Sequence, residues 1–213
     1  MDGLVLIIVT FMAASFVQLT TQAVTATIVG IRVEKMSLGF GKPIIKLKAR
    51  PFDIHVGWIP TGGSVNFTSD FDSRRLSTRW LVILSGPLAV LACVAPVLGV
   101  QRAAWALAVG FGQSIDGALS PLTEGAAMVT ATLALAETTS FVEASALLST
   151  KLTAFNLLPL PLLTGGHLWL QALSKHKNAH WYGTVSLLGA YPTMGLAVSW
   201  AIAVFVALWW PVS

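Results

Sequence analysis

The sequence predicts an α-helical membrane protein with about four transmembrane helices and a membrane-associated β-hairpin between the first two. Three observations predict it. Hydrophobic residues make up 55% of the 213 and charged residues only 10%, against about 25% charged in soluble domains, and the mean hydropathy is +0.76. The charged side chains stand aside from long apolar runs. The basic stretch between the first two runs shows strand-like alternation broken by turn residues. A chain with so little charge cannot cover a water-facing surface, which argues against a soluble or disordered protein and against a nucleic-acid partner. The lone Cys93 lies in an apolar run and rules out an internal disulfide. The length fits a single membrane domain, 1–213. The net charge of +4 matters less than where the charges fall.

Residues 3–31 carry no charged side chain, and a hydrocarbon core of about 30 Å needs roughly 20 apolar residues as a helix. The first span is therefore placed at about 4–28. Ala13-Ala14-Ser15 resembles a signal-cleavage site, but Asp2 and the lack of Lys or Arg before the run argue for a retained helix. Nine basic residues follow: Arg32, Lys35, Lys42, Lys46, Lys48, Arg50, Arg74, Arg75 and Arg79. Within this loop the hairpin is expected at about 42–68. Ile44 to Ala49 and Phe52 to Ile59 read as strands around Arg50-Pro51, and Phe52, Ile54, Val56 and Trp58 share one face. Pro60-Thr61-Gly62-Gly63 breaks the run, and Ser64 to Thr68 extends the ribbon. It is either a solvated hairpin or a ribbon pressed against the bilayer, where its backbone needs protein or water as partner.

Arg79 and Arg102 bracket the second span, about 80–100. The 103–137 stretch is apolar but interrupted by Gly110, Gly112, Asp116, Gly117, Pro121 and Glu124, and reads as short membrane-associated helices, with a fifth span as the alternative. The third span, about 139–160, contains Lys151; the fourth is about 186–209. Lys175 and Lys177 lie between these two, whereas 103–137 has no Lys or Arg. By the positive-inside rule both basic loops are expected in the cytoplasm and both termini outside.

Three segments together resemble the site-2 family of intramembrane zinc metalloproteases. The first runs Gly30-Ile31-Arg32-Val33-Glu34-Lys35-Met36-Ser37-Leu38-Gly39-Phe40-Gly41 and leads through the strands to Ile59-Pro60-Thr61-Gly62-Gly63. The second is Ser85-Gly86-Pro87-Leu88-Ala89, and the third is Asn156-Leu157-Leu158-Pro159-Leu160-Pro161-Leu162-Leu163-Thr164-Gly165-Gly166-His167. Leu119-Ser120-Pro121 echoes the family's G-P turn more weakly. The resemblance covers about 18–173, without an insertion large enough for a PDZ domain. It implies a four-span core with a membrane-associated hairpin in a bacterial cytoplasmic (inner) membrane.

The departures from the family pattern fall on its chemistry. The family's H-E-x-x-H motif begins twelve residues before the glycine matched by Gly30, a pentad that here reads Gln18-Leu19-Thr20-Thr21-Gln22. By that resemblance Gln18 and Gln22 replace two histidine ligands, Leu19 replaces the glutamate base, and Thr164 replaces the aspartate ligand. Zinc is held by imidazole, thiolate or carboxylate, and two carboxamides with a hydroxyl supply no anionic donor. Without the metal nothing brings the pKa of water toward about 7, and with Leu19 no side chain takes its proton. No His precedes His55, so no shift of register restores one to the first helix. Gln18 and Gln22, one helical turn apart, either join Thr164 in a polar network or pair with nearby backbone. The expectation is a site without metal or cofactor.

Other polar groups carry less. His176 and His180 have the spacing for a metal but no third ligand; His167 and His55 read as structural. Lys151 is an intramembrane charge, by default a functional group whose partner has to be found, Glu137 and Glu143 being candidates. It either finds such a partner or snorkels to the interface. Gly39-Phe40-Gly41-Lys42 lacks the rest of a phosphate loop.

The function expected is that of a pseudoprotease: a scaffold, assembly factor or complex subunit that binds membrane polypeptides. The resemblance implies binding through the hairpin residues Phe52, Ile54, Val56, Trp58, Gly62 and Gly63 and the turn Asn156, Leu157, Leu158 and Pro159. Partners would be membrane lipids and integral membrane proteins with a transmembrane helix. Two alternatives are an active intramembrane metalloprotease with an atypical or partner-supplied metal, and a small-solute conduit through the old active-site cavity.

Overall fold

The computed structural model describes residues 3–48, 52–68, 70–174 and 180–210. The first charge-free run forms a single helix, α1 (Gly3–Ile28). It ends at Gly30, whose φ of 74° lies in the left-handed region open to glycine. Arg74 Nη2 donates to the Gly30 carbonyl at 2.5 Å, tying the far end of the loop back to the helix exit.

Two strands follow, β1 (Val33–Leu47) and β2 (Asp53–Phe67). The hairpin therefore begins earlier than the 42–68 expected from the sequence, because Val33 to Leu38 is extended as well. Each strand is long and bent, so one residue has neighbours on both sides. Met36 stands opposite Val65 and Ile54, and Val56 stands opposite Leu38 and Ile45. Four extended stretches thus lie side by side, with 33–38 and 53–56 inside and 63–67 and 45–47 outside. Ala49, expected to end the first strand, and Arg50-Pro51, expected between the strands, lie outside the described residues.

A four-residue helix, α2 (Asp70–Ser73), leads into α3 (Leu76–Leu98). Gly99 then turns the chain into α4 (Val100–Leu119). A π-helical turn, Pro121–Gly125, joins it to α5 (Ala126–Thr138). Next come α6 (Phe141–Asn156), opened by Ser140 Oγ accepting from the Glu143 N–H, α7 (Thr164–Ala172) and α8 (His180–Trp209).

Among the described residues three helices are long and apolar enough to cross a membrane: α1, α3 and the Leu187–Trp209 part of α8. These match three of the expected spans. A fourth candidate is the bent pair of α4 and α5, whose axes differ by 117°. The stretch expected as short helices thus holds a 20-residue helix. Its glycines do not break it, since they serve close packing within a helix that keeps its own backbone bonds. The span expected at 139–160 is shorter, because Pro159 and Pro161 have no N–H with which to continue α6.

The chain forms two compact units, Ile7–Cys93 and Val94–Ser213 with Met1–Leu6. In the first, α1 meets α3 where the buried Gly86 lies against Gln18 and Gln22, and Ala23 and Ala26 are fully buried on α1. Small side chains let helix backbones approach where no hydrophobic force separates helix from lipid. In the second unit, α4 and α6 run side by side in the same direction. Arg102 pairs with Glu143, and Gly110 faces Lys151. The long helix α8 is fastened to α4 by Trp200 Nε1, which donates to the Ser114 carbonyl at 3.0 Å, and by Ser199 Oγ, which donates to the Ala118 carbonyl.

Candidate functional site

The pentad Gln18–Gln22 lies on α1 within the Ile7–Cys93 unit, and its surroundings follow from one residue of α3. Pro87 has no N–H, so the Ile83 carbonyl four residues back loses its helical donor. Inside a membrane such a carbonyl must be satisfied by protein. The side chain that does so is Gln22, whose Nε2 donates to it at 2.9 Å. Gln18 packs at the same place: a Cβ on Gly86 would stand 2.6 Å from Gln18 Cγ and 3.0 Å from Gln22 Cγ. Of the two arrangements open from the sequence, Gln22 takes the pairing with nearby backbone.

Leu19 points elsewhere. It is buried, and its Cδ1 would collide with any side chain at Gly63, as would the Ser37 carbonyl. The hairpin therefore approaches α1 closely at Leu19, and it does so because residue 63 is glycine. Thr20 Oγ1 lies 3.9 Å from Met36 Sδ, a second contact between the pentad and the hairpin, this time with β1.

The hairpin residues singled out from sequence have different surroundings. Ile54 and Val56 are half-buried, and the register flanks them on both sides. Asp53 and His55 are half-buried too, so the alternation does not divide a buried face from an open one. Phe52 is half-buried at the bend before β2, and Trp58 is 63% exposed, with its ring against Gly41. Since 53–56 is an inner stretch, an added strand would have to join at 63–67 or at 45–47. Along the second edge Lys42, Pro43, Lys46 and Lys48, residues that discourage pairing, are interspersed with exposed Ile44, Ile45 and Leu47. The first edge begins at Gly62-Gly63, beside Leu19.

In the other unit, Asn156 ends α6 and organises the turn after it. The Leu157 N–H donates to Thr153 and Ala154 carbonyls at 3.0 and 3.1 Å. The Thr164 N–H, an orphan donor at the start of α7, is accepted by Asn156 Oδ1 at 3.2 Å. Gly165 and Gly166 then press against the carbonyls of Leu157, Leu158 and Leu160, leaving no room for a Cβ at either position. Trp169 Nε1 donates to the Pro159 carbonyl at 3.1 Å. Leu158 is buried, Pro159 is exposed, and Thr164 is buried. Asn156 therefore acts first as a structural clasp, and Pro159 and Leu162 are the exposed residues of this turn.

None of these side chains is a usual zinc donor: Gln22 offers a neutral amide whose nitrogen is taken by a backbone carbonyl, Leu19 offers carbon, and the Thr164 hydroxyl is neutral. Among the described residues no three His, Cys, Asp or Glu side chains cluster as a metal site would require. His176, Lys175 and Lys177 lie outside the described residues. His180 opens α8, His55 sits in the sheet opposite Ser37 and Lys46, and His167 lies on α7.

Lys151 is half-buried on α6, its stem against Gly110 of α4. Glu143, one of its suggested partners, is engaged with Arg102 at 2.5 Å. The residue the sequence reading missed is Ile83, whose freed carbonyl gives Gln22 its role. The available signal was Pro87, since a proline inside a helix frees the carbonyl four residues earlier.

Compared with known families, the chain matches the sequence model of Peptidase family M50 over residues 22–198, which includes Gln22 and Thr164. A search of curated proteins finds no match.

Proposed function

For a chain that belongs to Peptidase family M50, we propose binding of membrane polypeptides without cleavage, as a scaffold, assembly factor or lasting subunit of a membrane complex. The observation that carries this reading is the Gln22–Ile83 bond. A position where the family resemblance implies a metal ligand has become part of the helix packing, while the hairpin beside it remains. The Gly62-Gly63 edge is the receiving edge: a strand added at 63–67 would run past Leu19 and gain main-chain bonds without demanding a sequence. Ile54, Val56 and Trp58 then support the sheet from within and from its tip.

Detergent-gentle purification followed by mass spectrometry of the intact assembly tests the reading. A stoichiometric membrane partner is expected, and a chain recovered only alone contradicts it. The orientation proposed is that of a bacterial cytoplasmic membrane with basic loops inside and both termini outside. Reporters fused at the two ends should be active only on the outer side; activity in the cytoplasm would overturn that orientation.

A further inference from the structure

Between α5 and α6 lies a cavity of about 180 Å³, lined by Ala131, Thr132, Leu135, Ala144, Leu147, Leu148 and Lys151. Its lining is apolar apart from two groups. The Thr132 hydroxyl already donates to the Met128 carbonyl at 2.8 Å. Lys151 has no ion pair or hydrogen bond among the described residues. It lies between the two ends of α6, five residues before Asn156. The Arg102–Glu143 pair marks the polar end of α4 and α6, and Lys151 lies two turns further along, about 12 Å at about 1.5 Å per residue. A half-buried cation lining an apolar cavity calls for a counter-charge or water.

The face beside the cavity indicates what brings the counter-charge. On α5, Ala127, Thr130, Ala131 and Ala134 are exposed at the i, i+3, i+4, i+7 spacing of one helix face. Lipid chains gain nothing from such a stripe, whereas a second helix can bring its backbone close to it. The cavity has the volume of about six waters at about 30 Å³ each, room for a carboxylate side chain.

We propose that Lys151 and the α5–α6 cavity form an intramembrane docking site for a partner's transmembrane helix bearing a single Asp or Glu, whose carboxylate pairs with Lys151 while adjacent turns pack along Ala127, Ala131 and Ala134. This rests on the polypeptide-binding reading above and names a second contact, in the other compact unit, for a partner of that kind.

Photo-crosslinking in native membranes with the full chain tests it, using benzoylphenylalanine at Ala131 or, separately, at Ser64 on the hairpin edge. The Ala131 probe should capture a membrane protein whose crosslinked helix contains an Asp or Glu. That crosslink should fall about tenfold or more in Lys151→Met, a loss of about 1.4 kcal/mol, and persist in Lys151→Arg. Replacing the partner's acid by its amide should give the same loss. Thermal unfolding within a few degrees of the parent shows that Lys151→Met is folded. Capture of lipid alone at Ala131, a captured helix without an acid, or indifference to Lys151→Met would overturn the site. Crosslinking at Ser64 with none at Ala131 would overturn it while sparing the polypeptide-binding reading; silence at both would remove both.

Discussion

Gln22 and Pro87 form a pair that neither residue's chemistry suggests alone. The proline subtracts a donor from α3, and the glutamine on α1 returns it. Side-chain hydrogen bonds in membranes average about 0.6 kcal/mol, with about 1.7 the largest measured. Gln22→Ala should therefore cost about 1 kcal/mol, measured by unfolding in mild detergent. In a Pro87→Ala background the Ile83 carbonyl regains a main-chain donor, and the same substitution should cost almost nothing. Equal costs in the two backgrounds would show that Gln22 acts some other way. Backbone pairing of Gln22 was one of two arrangements open from the sequence, yet its partner was hidden. Reading it required knowing that residue 83 of one helix faces residue 22 of another, and spacing along a single helix carries no such information.

At the scale of elements, α1, α3 and the body of α8 were legible because charge-free runs of sufficient length have one solution in lipid. The rest was less legible for identifiable reasons. Val33 to Leu38 carries Glu34, Lys35 and Ser37, which mask its extended character, and its pairing with both 63–67 and 53–56 is non-local. Gly110 and Gly112 read as breaks in α4, but Gly110 is the place where Lys151 and Ala154 of α6 approach. The end of α6 was written in Pro159 and Pro161, and the apolar run through 160 concealed it. The hairpin's seat on α1 depends on Gly63. Gly63→Val should destabilise the protein by about 1–3 kcal/mol through collision with Leu19 and the Ser37 carbonyl. Adding Leu19→Ala should recover only part of this, because the carbonyl remains. Full recovery would place the whole collision on Leu19, and no destabilisation at all would mean that the hairpin does not sit there.

For the whole molecule, membership of Peptidase family M50 was legible in the order of three short motifs. The proposed loss of catalysis rests instead on four side chains, Gln18, Leu19, Gln22 and Thr164. A binding protein can tolerate that exchange, since strand addition needs a backbone edge and helix docking needs a face and a charge. Neither requires a metal. A protease on this architecture does, because water must be activated before a peptide bond can be cut. The direct measurement is zinc content of the gently purified complex, with cleavage of its copurifying partner assayed on the same sample. The account predicts no zinc bound by this chain and an intact partner, unchanged by chelator. One zinc per chain, with partner cleavage that chelation abolishes, would contradict it.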